Sequence, residues 1–344
     1  MPSRRSRLPG LLTAIGRQAL SVALTFLGLT CVTFVIGRMI PTDPVIAIVG
    51  QKAPEDVYQR VFHELGLDQP IYVQYWRYLM KVLHGDFGVS LFSSKPVLHD
   101  LMNVFPATIE LSTVAILIGV LLGVPLGVAA AARQGKLTDH VIRVLGLIGY
   151  SMPVFWLGMV GLLLFYGKLD WLPGPGRFDV MYEGWMEPTT GFMLIDSLIA
   201  GEPDIFWDSL RHLILPATLL GYLSLAYIAR MTRSFMLKEL RQEYVLTAQV
   251  KGLSRTAVIW GHAFRNILVS LITVIALSYG YLLEGAVLTE TVFSWPGLGL
   301  YMKNGLFNAD MNAVLGGTMV VGIVFIGLNL LSDLAYWIVD PRAR

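Results

Sequence analysis

The chain has 344 residues, 55% of them hydrophobic and only 15% charged, with a mean hydropathy of +0.61. A soluble domain this apolar could not cover itself with polar surface, so composition excludes an ordinary cytosolic enzyme, a secreted disulfide scaffold and a disordered protein, and leaves an integral membrane protein with several spans. A net charge of +2 provides no global basic field for nucleic acid, and the single Cys31 allows neither an internal disulfide nor a cysteine-based metal site.

Six stretches are long and apolar enough to cross about 30 Å of hydrocarbon as helices. Residues 1–18 form a basic N-terminus carrying Arg4, Arg5, Arg7 and Arg17, followed by a first span at Ala19–Ile36. No small-x-small cleavage site follows, since the chain reads Gly37-Arg38-Met39-Ile40-Pro41, so this span reads as an uncleaved anchor. Residues 37–107 are a large outer segment with Tyr72, Tyr75, Trp76 and Tyr78 clustered on a helical pattern over Ile71–Leu83. The five remaining spans fall within residues 108–339. They are Thr108–Ala131, Val144–Tyr166, Leu213–Met231, Ile267–Leu288 and Ala313–Val339. Pro125, Pro153 and Pro216 sit inside the second, third and fourth spans and predict kinks, tolerated where neighbouring helices satisfy the freed carbonyls. Gly119, Gly123 and Gly127 recur at four-residue spacing, a stripe that lets a second helix approach closely. A second outer loop, 168–212, carries Pro173-Gly174-Pro175-Gly176, Trp185, Trp207 and eight acids. The tail is 340–344.

Lysine and arginine fix the expected orientation. Sixteen of the 26 lie in the N-terminus, the short loop after the second span, the 230–265 loop and the tail. That predicts both termini and the 230–265 loop in the cytoplasm, with 37–107 and 168–212 outside.

Catalytic motifs are missing. There is no G-x-x-x-x-G-K-[ST] phosphate loop, no H-E-x-x-H and no G-x-S-x-G, and the six histidines lack metal-ligand spacing. Glu110, Glu284 and Asp333 are the acids within or at the ends of spans, and they form no evident proton relay. Ser151 and His140 could serve an intramembrane hydrolase by residue type alone, with no nucleophile motif behind them. A self-sufficient carrier or channel lacks a sequence signature of its own.

The most informative stretch is the cytoplasmic loop, Arg241-Gln242-Glu243-Tyr244-Val245-Leu246-Thr247-Ala248-Gln249-Val250-Lys251-Gly252-Leu253-Ser254, followed by Gly261-His262-Ala263-Phe264-Arg265-Asn266. Tyr244, Ala248 and Gly252 fall four residues apart and share one helical face, mostly of small residues, that another protein's groove could grip closely. This segment resembles the EAA loop of ABC-transporter permeases. Further strings agree in order along nearly the whole chain: Ile40-Pro41-Thr42-Asp43-Pro44, Leu65-Gly66-Leu67-Asp68-Gln69-Pro70, Gly85-Asp86-Phe87-Gly88-Val89-Ser90, Ser151-Met152-Pro153-Val154-Phe155, Glu290-Thr291-Val292-Phe293-Ser294-Trp295-Pro296-Gly297-Leu298-Gly299 and Asp340-Pro341-Arg342. Together they resemble the binding-protein-dependent dipeptide/oligopeptide/nickel permease family, first-permease type. Two departures stand out. Ser270 takes the place of a family proline, and the acid-Ala-Ala string survives only as Glu243…Thr247-Ala248.

The resemblance implies an all-α, six-span permease of the type I ABC importer kind in the bacterial inner membrane, importing di- or oligopeptides. Relatives that handle nickel chelates, glutathione or opines leave those solutes as alternatives. The implied partners are a homologous second permease, two cytoplasmic ATPases that bind the ATP, an outer solute-binding protein and membrane lipid. No cofactor and no metal are expected in this chain. Glu243, Tyr244, Ala248, Lys251 and Gly252 are expected to couple it to the ATPases. Glu284, at the outer end of the fifth span, is a candidate lining the solute path.

Overall fold

The computed structural model describes residues 8–39, 44–50 and 52–339. The strings over 40–43 and 340–342, the arginines at 4, 5 and 7, the 340–344 tail and the side chain of Asp333 lie outside the described residues. Among the described residues every regular element is a helix. In chain order these are α1 (Leu8–Met39), α2 (Pro44–Val49), α3 (Glu55–Glu64), α4 (Ile71–Leu83), α5 (Val97–Ala132), α6 (Leu137–Ser151), α7 (Val154–Gly161), α8 (Met193–Ala200), α9 (Pro203–Glu239), α10 (Glu243–Val250), α11 (Phe264–Val292), α12 (Leu298–Phe307) and α13 (Met311–Val339).

Among the described residues, five helical stretches are long and apolar enough to span a membrane: Gly16–Met39, Val97–Ala132, Pro203–Glu239, Ala257–Val292 and Met311–Ser332. They correspond to the expected spans one, two, four, five and six. The expected third span is not one straight helix. It is broken at Met152-Pro153, where α6 and the α7 arm, which continues in π-helical geometry to Lys168, meet at 99°. Proline removes a backbone donor and biases the preceding residue away from the helical region. Met152 accordingly sits at φ −91°, ψ 133°. Neither arm is long enough to cross alone, so the pair makes a sixth span only when its two arms are taken together. Pro125 and Pro216, by contrast, lie inside uninterrupted helices.

Element boundaries also differ from the sequence reading. The second span starts early, at Val97, and the fourth continues to Glu239, so Arg230, Arg233 and Lys238 lie on a helix and not in a loop. Residues 257–263 are π-helical and lead directly into α11, so with serine at 270 the fifth span is continuous.

The chain divides into two compact units. The first comprises residues up to Leu101 together with 302–326. In it α4 packs on α1, with the Tyr75 hydroxyl 2.9 Å from that of Thr30 and the Tyr78 hydroxyl 2.9 Å from that of Thr33. Gly37 and Gly322 permit close approach of α1 and α13. A Cβ at Gly37 would stand 2.8 Å from Leu315 Cδ1, and one at Gly322 would collide with Leu29. Asp310, fully buried, accepts from the Ser90 hydroxyl at 2.5 Å and the Phe92 amide at 3.2 Å, which pins the 88–96 turn to the head of α13.

The second unit, 102–301 with 327–344, contains the main core. α9 lies centrally, against α11, α6 and α8. Leu111, Ala115, Leu213, Ala217, Leu220, Ile228, Leu271 and Leu282 are buried between α5, α9 and α11. The expected glycine stripe faces α9. A Cβ at Gly123 would stand 3.0 Å from the Leu225 carbonyl, and one at Gly127 2.6 Å from that of Ala229. Such closeness adds dispersion contacts between backbones, which drives helix association where lipid removes the hydrophobic term.

Candidate functional site

The segment expected to couple to ATPases folds as α10, an eight-residue helix between the end of α9 and the π-helical turn before α11. Gly252 ends it. Its φ is +80°, its amide donates to the Gln249 carbonyl at 2.9 Å, and the next amide, of Leu253, donates to the Ala248 carbonyl at 3.2 Å. That pair of bonds is a Schellman cap, and its left-handed position favours glycine. A Cβ at Gly252 would meet nothing within 4 Å.

The stripe Tyr244, Ala248, Gly252 does not present one open face. Ala248 is buried with Val245 and Val258, and Tyr244 packs against that cluster. The Tyr244 hydroxyl donates to Glu239 Oε2 at 2.7 Å. Burial, reinforced by that carboxylate, pushes the phenol up to about 12, so it stays a neutral donor across the physiological range. The open face belongs to Leu246 and Val250, 63% and 80% exposed, with Glu243 and Lys251 beside them. Helical spacing groups residues onto faces, but it does not say which face turns inward. The small Ala248 fits beneath the helix, and the larger apolar pair is left uncovered.

The base of this surface is tied to the bundle. Met236, Val128, Ala131, Ala263 and Ile267 form a buried cluster where α5, α9 and the π-helical turn meet. Arg255 donates to the Ala132 carbonyl, which joins the loop after α10 to the end of α5. Asp139, at the start of α6, accepts both Nε and Nη2 of Arg233 at 2.6 and 2.8 Å and the Gly135 amide at 3.0 Å. Sequence reading singled out neither Asp139 nor Arg233. Their separation of 94 positions carries no local signal.

The opposite end of the second unit holds a second polar network. Glu110, an acid the sequence left without a partner, accepts Arg177 Nη2 at 2.5 Å and the Leu194 amide at 2.9 Å. Arg177 also donates to the Gly191 carbonyl at 2.8 Å and lies 5.8 Å from the centre of the Trp295 ring. Glu290 is fully buried. It accepts from the Thr108 hydroxyl at 2.6 Å and the Leu300 amide at 2.9 Å, while the Leu298 amide donates to Thr108 Oγ1 at 2.7 Å. The Trp295 indole donates to the Ala107 carbonyl at 2.9 Å. The 293–299 turn is thus held on α5 by satisfied buried polar groups. Glu284 belongs to neither network. It is exposed on α11 with Tyr281, Gly285 and Leu288, on a face this chain leaves uncovered.

Long apolar helices, one bent helix pair and a short helix between two of the long ones define an all-helical membrane protein. The chain belongs to the binding-protein-dependent transport system inner membrane component family, whose model matches residues 123–344, with the family's N-terminal membrane component matching 11–112. It is 44% identical over 335 residues, 97% of this chain and 99% of the other, to the di/tripeptide transport system permease protein DppB of Pseudomonas aeruginosa (strain UCBPP-PA14). It is 45% identical over 93% of its length, and 95% of the other, to the dipeptide transport system permease protein DppB of Escherichia coli (strain K12). The probable D,D-dipeptide transport system permease protein DdpB of the same strain is 41% identical over 93% of this chain and 94% of its own. Among solved structures, inward facing MetNI methionine ABC transporter superposes with a TM-score of 0.50 over 68% of this chain and 93% of that chain at 13% identity, a likeness of fold. The family expected from the motifs is therefore the family found.

Proposed function

We propose that this chain is the first of two homologous permease subunits in an ATP-driven inner-membrane importer of di- and oligopeptides. The observation that carries the solute class is the 41–45% identity to peptide permeases over 93–97% of the chain. Two cytoplasmic ATPases and an outer solute-binding protein complete the assembly, and this chain contributes half of the path without covalent chemistry. The termini and α10 face the cytoplasm, a reading supported by the basic residues around them.

In this proposal α10 docks on an ATPase. Leu246 and Val250 supply the apolar contact, Glu243 and Lys251 its charged rim, Tyr244 and Ala248 the anchor to the bundle, and Gly252 the stop that lets the chain turn back. An exposed pair of large apolar residues on an aqueous helix is the feature a partner surface would cover. Glu284 faces the path and meets the free amine of a peptide.

The test is uptake in vesicles holding the permease pair, the ATPases and the binding protein. Wild type should accumulate dipeptide with ATP, and this chain alone should neither hydrolyse ATP nor accumulate solute. Leu246→Ser/Val250→Ser should lower ATPase co-purification at least tenfold. Glu284→Gln should lower uptake of a dipeptide with a free amine more than that of its N-acetylated form. Robust ATP hydrolysis by the isolated chain would refute the permease reading. Unchanged ATPase retention would remove the docking role, and equal effects on both dipeptides the path role.

A further inference from the structure

The space between α6 and α9 has no part in the proposed coupling or path. The two helices are clasped at two levels. At one, Asp139 binds Arg233. At the other, Gly149 admits the Tyr222 ring, whose hydroxyl donates to the Leu145 carbonyl at 2.6 Å. Between the clasps the facing residues are small, Gly146 against Ala226 and Ala229, and a cavity of about 360 Å³ opens. Its cations are Arg143, Arg230 and Arg233, and no acid is among its lining residues. Arg233 is neutralised by Asp139, which leaves two positive charges. Arg230 is held in place by rings, with its guanidinium carbon 4.9 Å from the centre of Tyr150 and 5.5 Å from that of Tyr227. Stacking orients a guanidinium and keeps its in-plane N–H donors available for an oxyanion. The rest of the wall is apolar, including Val144 and Leu147, both more than half exposed.

Arg143 and Arg230, set in an otherwise largely apolar cleft between two helices, form an amphipathic site. A path for a hydrated solute would not surround its cations with Ile142, Val144 and Leu147. We infer that the α6–α9 cleft binds one anionic phospholipid, its phosphate between Arg143 and Arg230 and an acyl chain along Val144 and Leu147. With the orientation proposed above, the cleft lies on the cytoplasmic side, the leaflet whose anionic lipids are drawn to basic residues. The lipid would act as a removable wedge between the broken third span and the central helix α9.

The experiment uses the purified full chain, equilibrated in nanodiscs of phosphatidylcholine with phosphatidylglycerol, released into mild detergent and weighed by native mass spectrometry. Wild type should retain one phosphatidylglycerol. Arg143→Gln/Arg230→Gln should retain about twenty-fivefold less, roughly fivefold per arginine, and Arg143→Lys/Arg230→Lys most of it. Gly146→Leu provides a variant that leaves every charge in place. A Cβ there meets only the Ala226 carbonyl at 3.9 Å, so the side chain fills the cleft and should displace the lipid. Millimolar glycerol 1-phosphate or inorganic phosphate should not compete. Wild-type retention in either the glutamine pair or Gly146→Leu would overturn the site, and displacement by the soluble phosphates would overturn the lipid as its ligand. Because the readout is bound mass and not transport, failure here and failure of the importer reading are separate results.

Discussion

Gly252 shows how one backbone angle sets the end of a helix. At φ +80° it lies where an L side chain costs roughly 1–2 kcal/mol, and Asn bears the conformation best. Space in this chain is not the constraint, since a Cβ there meets nothing. Strain and docking are therefore separable. Gly252→Ala should lower the thermal stability of the isolated chain by about 1 kcal/mol, and Gly252→Asn by less. Gly252→Trp should add to that strain a loss of ATPase co-purification, because the bulk then projects toward a partner. If the tryptophan variant retains the ATPases and imports at the wild-type rate, the position is a cap and has no part in docking.

At the scale of elements, the broken third span is the least expected feature, and the Asp139–Arg233 pair holds its first arm to α9. Asp139 is buried, and Arg233 keeps some solvent access. Removing one partner of a buried pair costs about 3–5 kcal/mol, and the access left to Arg233 brings the figure nearer 2. Asp139→Asn and Arg233→Met should each lower the unfolding midpoint in detergent, and the double variant should be clearly milder than their sum. Strict additivity would mean that Asp139 and Arg233 are not energetically coupled across the two helices. α10 illustrates a different limit of sequence reading. Its existence and its end at Gly252 were legible in the spacing and the glycine. Its outward face was not, because Ala248 packs on Val258, a residue beyond the turn.

For the molecule as a whole, the sixteen-to-ten division of basic residues argues for cytoplasmic termini. Membrane-impermeant thiol labelling in a Cys31→Ser background tests it. Glu187→Cys, exposed in the 168–212 loop, should label on intact cells, and Ser254→Cys, exposed after α10, should label only once the membrane is opened. The reverse pattern would invert the topology and move the proposed ATPase contact away from α10.

The sequence by itself determined the class of protein, the position of the five unbroken spans, the family and the small-residue contact of the second span with a neighbour. The class, the spans and the close helix contact depend on composition or on local periodicity, and burying about twenty apolar residues per span leaves the chain little choice, whereas the family was carried by motif strings that resemble it. The tertiary structure alone decided which partners the isolated acids take: Glu110 with Arg177, Asp139 with Arg233, and Glu290 with Thr108 and the turn that follows α11. It also decided that Pro153 breaks its span at 99° while Pro125 and Pro216 do not. A proline in the interior of a helix removes one hydrogen bond. Whether the helix bends or continues depends on the helices packed around it, and those neighbours come together only in the folded chain.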